Sequence, residues 1–217
     1  MMNKKELLLK SVRKNTFILA VFAIALTALV SIVHQLTKNK IESEVQRVVN
    51  QRLNKLVDSN LYDNSPINDC ILIKDYSKKN QTSIHKVHLM KKNNLPMAMV
   101  FTSTAHDGYS GNIDLLIALS NDSRLLGIEI LSHRETPGLG DKIESNKSNW
   151  LQQFKSISLA DMNEKNWRVK KDGGDFDALT GATITPRAII SATYDTSRYF
   201  SGNKQELFNK VPNCEEK

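Results

Sequence analysis

Between Asp177 and Thr183 the chain reads Asp-Ala-Leu-Thr-Gly-Ala-Thr, which sets an acid and two hydroxyls within one short segment. A threonine hydroxyl is a weak nucleophile. Joining it to a phosphate requires an exposed oxygen, room for the incoming group and stabilisation of negative charge. Gly181 and Ala182 leave that room beside Thr183. Thr185 followed by Pro186 reads as an N-cap and first helical position, so the sequence predicts a helix from Pro186 to about Phe200. The first amides of that helix would face a phosphate on Thr183, and a helix N-terminus favours an exposed anion by about 0.3–1 kcal/mol. Taken alone, Gly-Ala-Thr is a common loop sequence and Asp177 reads equally as a turn or cap residue.

A second segment, His133-Arg134-Glu135-Thr136-Pro137-Gly138-Leu139-Gly140, ends a strand-like stretch, and its proline and two glycines force an irregular loop. Such a loop can approach a ligand closely, although Thr-Pro-Gly-Leu-Gly by itself is an ordinary turn. In combination, Asp-x-x-Thr-Gly-Ala-Thr, Glu-Thr-Pro-Gly-Leu-Gly after a strand and Gly108-Tyr109-Ser110-Gly111 before an earlier one resemble the RnfG/NqrC family of FMN-binding subunits. The resemblance spans roughly Gly108 to Phe200 and is strongest to the RnfG members, which belong to the Rnf ion-translocating electron transport complex.

The resemblance implies FMN esterified through its phosphate to Thr183 by a flavin transferase, with Asp177, Thr180, Gly181 and Ala182 as cofactor-binding residues of the same segment and Asp177 also part of what the transferase recognises. It also implies that Glu135, Thr136, Gly138 and Leu139 lie near the flavin, with Leu139 able to cover a ring face. Backbone amides of a glycine-bearing loop suit the polar edge of an isoalloxazine. Tyr109 is compatible with stacking on the flavin or with filling the core, and Lys142 and Arg187 with pairing to the phosphate or with solvated surface charge. The chain departs from commoner family forms at Thr180, where serine is frequent, and at Ser110-Gly111-Asn112. The first departure keeps the hydroxyl, and the second bears only on Tyr109 and its neighbours.

In this reading the protein is an electron relay among the other membrane subunits of an ion-translocating complex in the bacterial inner membrane. The short region before the domain favours the Rnf type over an NqrC-like component of a sodium-translocating quinone reductase. A different class, an anchored structural module without flavin, would keep the fold and lack the modification. No residue reads as an independent catalytic acid, base or nucleophile toward a metabolite.

Composition and the N-terminus bound these expectations. No charged residue lies between Lys14 and Lys38, and Phe17 to Leu36 is apolar over a length that crosses a hydrocarbon core of about 30 Å. Ser31-Ile32-Val33-His34-Gln35-Leu36 offers no small-residue cleavage site, so the sequence predicts an uncleaved anchor over 15–37. Lys4, Lys5, Lys10, Arg13 and Lys14 against Glu6 predict a cytoplasmic residue 1–14 segment and a periplasmic domain over 67–210. His34 reads as interfacial. The net charge of +7 comes from dispersed lysines, and with a membrane anchor it does not point to nucleic acid.

Ile41, Val45, Val48, Val49, Leu53, Leu56 and Val57 recur at helical spacing, so an amphipathic helix and linker are expected over 38–66, docked on the domain or on another component of the complex. Strands are expected at Cys70–Lys74, Ser83–Met90, Met97–Thr104, Ile113–Ser120 and Leu125–Ser132, separated by polar clusters at Lys78–Gln81 and Asn121-Asp122-Ser123. A further helix is expected from Glu144 to Phe154. The predicted fold is α+β: a single transmembrane helix, then an antiparallel sheet flanked by helices. His85 and His88 lie three apart in a strand and so on opposite faces, which argues against a shared metal. Cys70 and Cys214 are not in metal-ligand spacing; outside the cytoplasm they could pair, although residues 211–217 read as a loose polar tail.

Overall fold

The computed structural model describes residues 4–73, 77–78, 82–160 and 162–214. Lys74, Lys79–Gln81 and the extreme termini, on which parts of the expected first strand, first turn, N-terminal segment and tail fall, lie outside the described residues. The chain divides into two compact units, residues 1–48 and 49–217.

The first unit is helical. Helix α1, Lys4–Leu56, is continuous across the expected anchor and the expected amphipathic segment. Within it Val12–Lys38 contains an 18-residue stretch of mean hydropathy 2.7 and is long and apolar enough to span a bilayer.

In the second unit, strands β1 (Cys70–Leu72), β2 (Ser77–Lys78), β3 (Thr82–Lys92), β4 (Leu95–Gly108), β5 (Gly111–Ser120), β6 (Arg124–Ser132) and β7 (Ile157–Ser158) form an antiparallel sheet of order β1-β3-β4-β5-β6-β7, with β2 also on β3. Helix α2, Ile184–Asn209, follows the long irregular segment after β7. Period-two alternation sorts side chains to two cores. Met99, Phe101 and Ala105 of β4 and Ile113, Leu115, Ile117 and Leu119 of β5 meet Ile189, Ala192 and Phe200 of α2. Ala98, Val100, Leu116 and Ala118 face the other way and meet Leu53 and Val57. The expected stripe therefore packs only from Val49 onward: Ile41 and Val48 are exposed, and the Val45 side chain lies outside the described part. Arg52 fixes this end by donating to the Ile130 carbonyl at 2.7 Å.

Four expectations are corrected. Glu144–Phe154 is not an α-helix but turns followed by a 3₁₀ helix at Trp150–Phe154. Ser148 Oγ donates to the Lys142 carbonyl and accepts the Trp150 N–H at 3.1 Å, so a hydroxyl takes backbone partners that a helix would need. Helix α2 begins at Ile184 with Thr183 as its N-cap, two residues before the position that the Thr-Pro pair suggests. It also runs past Ser201-Gly202-Asn203, because Leu207 is buried and Asn203 Nδ2 donates to the Tyr199 carbonyl within the helix. The tail is tied down through Cys214: Cys70 and Cys214 form a disulfide, Asn213 N–H donates to the Cys70 carbonyl at 2.9 Å and Leu72 N–H to Asn213 Oδ1 at 2.7 Å.

Candidate functional site

Two turns of the same construction meet at the N-terminus of α2. In the first, Leu139 N–H closes on the Thr136 carbonyl at 3.2 Å, with Pro137 second and Gly138 third at φ +78°. In the second, Ala182 N–H closes on the Leu179 carbonyl at 3.1 Å, with Gly181 third at φ +80°. A positive φ at the third position is the demand of a type II turn, and glycine meets it without steric cost. The turns also touch. A Cβ added at Gly181 would lie 2.8 Å from Leu139 Cδ2, so this glycine is needed for its φ and for the close approach.

Glu135 locks the turns to the sheet. It is 5% exposed. One carboxylate oxygen accepts the Ser110 N–H at 3.0 Å from the β4–β5 turn, and the other accepts the hydroxyl of Thr185 in the first turn of α2. A Cβ on Gly140 would sit 2.8 Å from Glu135 Oε2 and 3.0 Å from Thr185 Oγ1, so Gly140 makes space for this three-way junction. Thr185, read from sequence as the N-cap, is thus a buried partner of Glu135. His133 holds the loop from the other side. Its Nδ1 accepts the Glu135 N–H at 3.0 Å, which leaves the proton on Nε2, 3.0 Å from Glu144. Lys147 hydrogen-bonds Glu144 and Asp141, and these contacts hold both carboxyls below the usual carboxylate range.

The junction borders a cleft of about 260 Å³ lined by Tyr109, Glu135, Thr136, Leu139, Gly140, Gly181, Ala182, Thr183, Ile184 and Thr185. Thr183 is half-buried at its edge. Its side chain makes no capping bond, so the hydroxyl is not committed to the helix. The amides of the first helical turn have no intrahelical acceptors, and Pro186 brings no N–H at all. Tyr109, Leu139 and Ile184 are exposed apolar side chains around the opening, at 67%, 43% and 42%. Of the two readings open for Tyr109, core packing is thereby overturned.

The sequence-derived residues divide. Glu135, Thr136, Leu139, Gly181, Ala182 and Thr183 come together in the cleft lining. Gly138 shapes the first turn without lining the cleft. Asp177 and Thr180 are exposed outside it, the Asp177 carboxylate pairing with Lys170 at 2.6 Å. Lys142 and Arg187 do not line it either; Arg187 makes a two-pronged pair with Asp172 at 2.7 and 2.8 Å, which lowers the Asp172 pKa. Ile184 is missed by sequence reasoning because the Thr-Pro pair places the helix start two residues late. Among the described residues, no group of three or more His, Cys, Asp or Glu side chains could hold a metal. His85 instead bonds Thr104 at 2.8 Å, and buried His88 bonds the Pro66 carbonyl at 2.8 Å.

The donor set suits a flavin phosphate ester: an uncommitted hydroxyl, helix-terminal amides, small residues at the attachment point and apolar side chains at the rim. Comparison with known proteins places an FMN-binding domain over this region. Residues 108–197 match the FMN-binding domain model, and residues 1–56 match the RnfG N-terminal region model. The G subunit of the ion-translocating oxidoreductase complex of Shewanella baltica (strain OS223) is 41% identical over 93% of this chain and 95% of its own. The corresponding protein of Vibrio cholerae serotype O1 (strain M66-2) is 38% identical over 96% and 99%. The crystal structure of Shewanella oneidensis NqrC is also similar, at 23% identity and a TM-score of 0.44, covering 58% of this chain and 61% of that one. By whole-length identity and by its domain content, this chain belongs to the family of G subunits of ion-translocating oxidoreductase complexes, with an FMN-binding domain at residues 108–197.

Proposed function

We propose that the protein is an electron relay in an Rnf-type ion-translocating complex, carrying FMN esterified through its phosphate to Thr183. The observation that carries this reading is the Thr183 hydroxyl: half-buried at a cleft, at the cap of α2 and without a capping bond. When bound, the flavin supplies the redox chemistry, taking up and releasing electrons.

The residues of the chain supply attachment and orientation. Thr183 provides the ester oxygen, and the Ile184 and Thr185 amides favour the phosphate charge at the helix terminus. Gly181 and Ala182 leave room for the nucleotide. Leu139 and Tyr109 offer apolar contact to the ring, while Thr136 and Glu135 border its polar side. Gly138 fixes the turn that presents Leu139. Asp177 and Thr180 lie outside the cleft and exposed, which suits recognition by a flavin transferase during maturation. The N-terminal span is read as a single-pass anchor in the bacterial inner membrane, with residues 1–14 cytoplasmic and the domain periplasmic. The Cys70–Cys214 disulfide supports that orientation, since such bonds persist in oxidising compartments. Partners are the other membrane components of the complex.

The experiment is intact mass and peptide mapping of protein made with an active flavin transferase. An added FMN less water on the Thr183 peptide is expected. An unmodified peptide, with a control substrate modified, would overturn the reading in favour of an anchored structural module.

A further inference from the structure

We infer that Gln153 and Trp150 are positioning residues for the esterification of Thr183, holding the backbone of Asp177 so that the acceptor segment is presented in one conformation. The inference rests on the reading of Thr183 as the flavin-bearing residue. Both backbone groups of Asp177 are held: its N–H donates to Gln153 Oε1 at 2.7 Å and its carbonyl accepts the Trp150 indole N–H at 2.6 Å. Gln153 Nε2 donates to the Trp150 carbonyl at 3.0 Å, which fixes which amide atom faces Asp177.

The clamp stands on buried aromatic packing. Trp150 is 8% exposed and meets Phe154 edge-on at 5.3 Å; Phe154 stacks on Phe176 at 4.8 Å, and Phe176 meets Trp167 at 5.1 Å. Phe176 immediately precedes Asp177, so the chain enters the acceptor segment from a fixed point. It leaves through the N-cap of α2, whose Thr185 is held by Glu135. The segment between has two fixed ends and one internal turn closed by Ala182 N–H. The Asp177 side chain is spared this work: it is 65% exposed and pairs with another exposed side chain, Lys170.

In the transfer step, Thr183 Oγ forms a bond to the flavin phosphorus of an activated flavin nucleotide, a phosphoanhydride. The anhydride P–O bond breaks, the leaving phosphate departs with the electron pair, and the hydroxyl proton passes to a base of the transferase or to water. A preorganised acceptor raises the rate by lowering the ordering that must occur in the transferase complex.

The test uses the full chain in detergent with the transferase and its flavin nucleotide, following the initial rate of mass gain at Thr183. Gln153→Leu keeps the bulk and removes the acceptor, and its rate is expected to fall about fivefold, the scale of one hydrogen bond. Gln153→Glu retains an oxygen toward the Asp177 N–H while losing the donation to the Trp150 carbonyl, and its rate is expected to fall less than that of Gln153→Leu. A wild-type rate in Gln153→Leu, or equal slowing in both variants, would overturn the inference. Amide hydrogen exchange gives a second readout that needs no variant to fold. The Asp177 amide of the wild-type protein is expected to be protected, and exchange as fast as an open amide sinks the clamp. If wild-type Thr183 itself stays unmodified while a control substrate reacts, the flavin reading fails, and the exchange result still decides the clamp.

Discussion

Along β4, Met99, Phe101 and Ala105 enter one core while Ala98 and Val100 enter the other, and the backbone polar groups find their partners by register with β3 and β5. Between His133 and Thr183 there is no such period. Backbone groups there are held one at a time, by His133, Ser148, Gln153 and Trp150, and by turns whose third residue is a glycine at positive φ. Stability in the sheet is distributed over many apolar contacts, so single residues are exchangeable in kind. In the irregular segment His133, Ser148, Gln153 and Trp150 each satisfy a particular backbone atom, so a change at one of them displaces a particular part of the segment.

This contrast predicts a dissociation between stability and modification. Thr183→Val removes the ester oxygen and keeps the bulk, so covalent flavin is expected to vanish completely, as read by intact mass. Because the Thr183 side chain makes no capping bond, the denaturant midpoint should hardly move, within about 0.5 kcal/mol. A large fall in stability would show that the N-cap position carries fold energy after all. Phe101→Ala is the opposite case. This ring is fully buried, edge-on to Tyr199 at 6.4 Å and Phe200 at 6.1 Å, and its loss is expected to cost about 3–5 kcal/mol by chemical denaturation. The protein that remains folded should still accept flavin at Thr183.

Glu135→Ala tests the junction where the two regions meet. It leaves the Ser110 N–H and the Thr185 hydroxyl without their acceptor and is expected to cost about 1–3 kcal/mol. Unlike Phe101→Ala, it should also lower the yield of covalent flavin, because the first turn of α2 and the Thr136–Gly140 loop lose their common anchor. Equal flavin yield at reduced stability would assign Glu135 to the sheet alone.

The same contrast explains what the sequence disclosed. The four long strands were legible as runs bounded by polar turn clusters, largely apolar because both faces of the sheet are buried, and the two-residue strands β2 and β7 were not, being too short to stand out as runs. The turn glycines and the two motifs were legible as types. Their contact was not, since Leu139 and Gly181 lie far apart in sequence and meet only through the fold. Trp150 reads as part of the apolar side of an expected helix that also contains Gln153, and nothing in their spacing points to the Asp177 backbone. The docked tail was hidden for a similar reason: a polar C-terminus shows its attachment only when Cys70 is placed beside it, with a Cα–Cα distance of 5.5 Å.

The smallest expected effect lies on the sheet side and concerns pH. His88 is 5% exposed on β3, its Nδ1–H donates to the Pro66 carbonyl, and burial lowers its pKa from the ordinary 6.5. A histidine whose folded pKa is depressed binds its proton more readily when unfolded, so the stability it supports is intact above about 6.5 and declines as pH falls toward the folded value. The denaturant midpoint of the wild-type protein is therefore expected to drop on acidification through this range. His88→Gln keeps a donor to Pro66 without a titrating group, and the difference between the two curves isolates the contribution of His88. If the sheet and the cleft are as separately organised as their construction indicates, this substitution flattens the acid limb while flavin at Thr183 stays at the wild-type level. Parallel curves for the two proteins would remove His88 from the account.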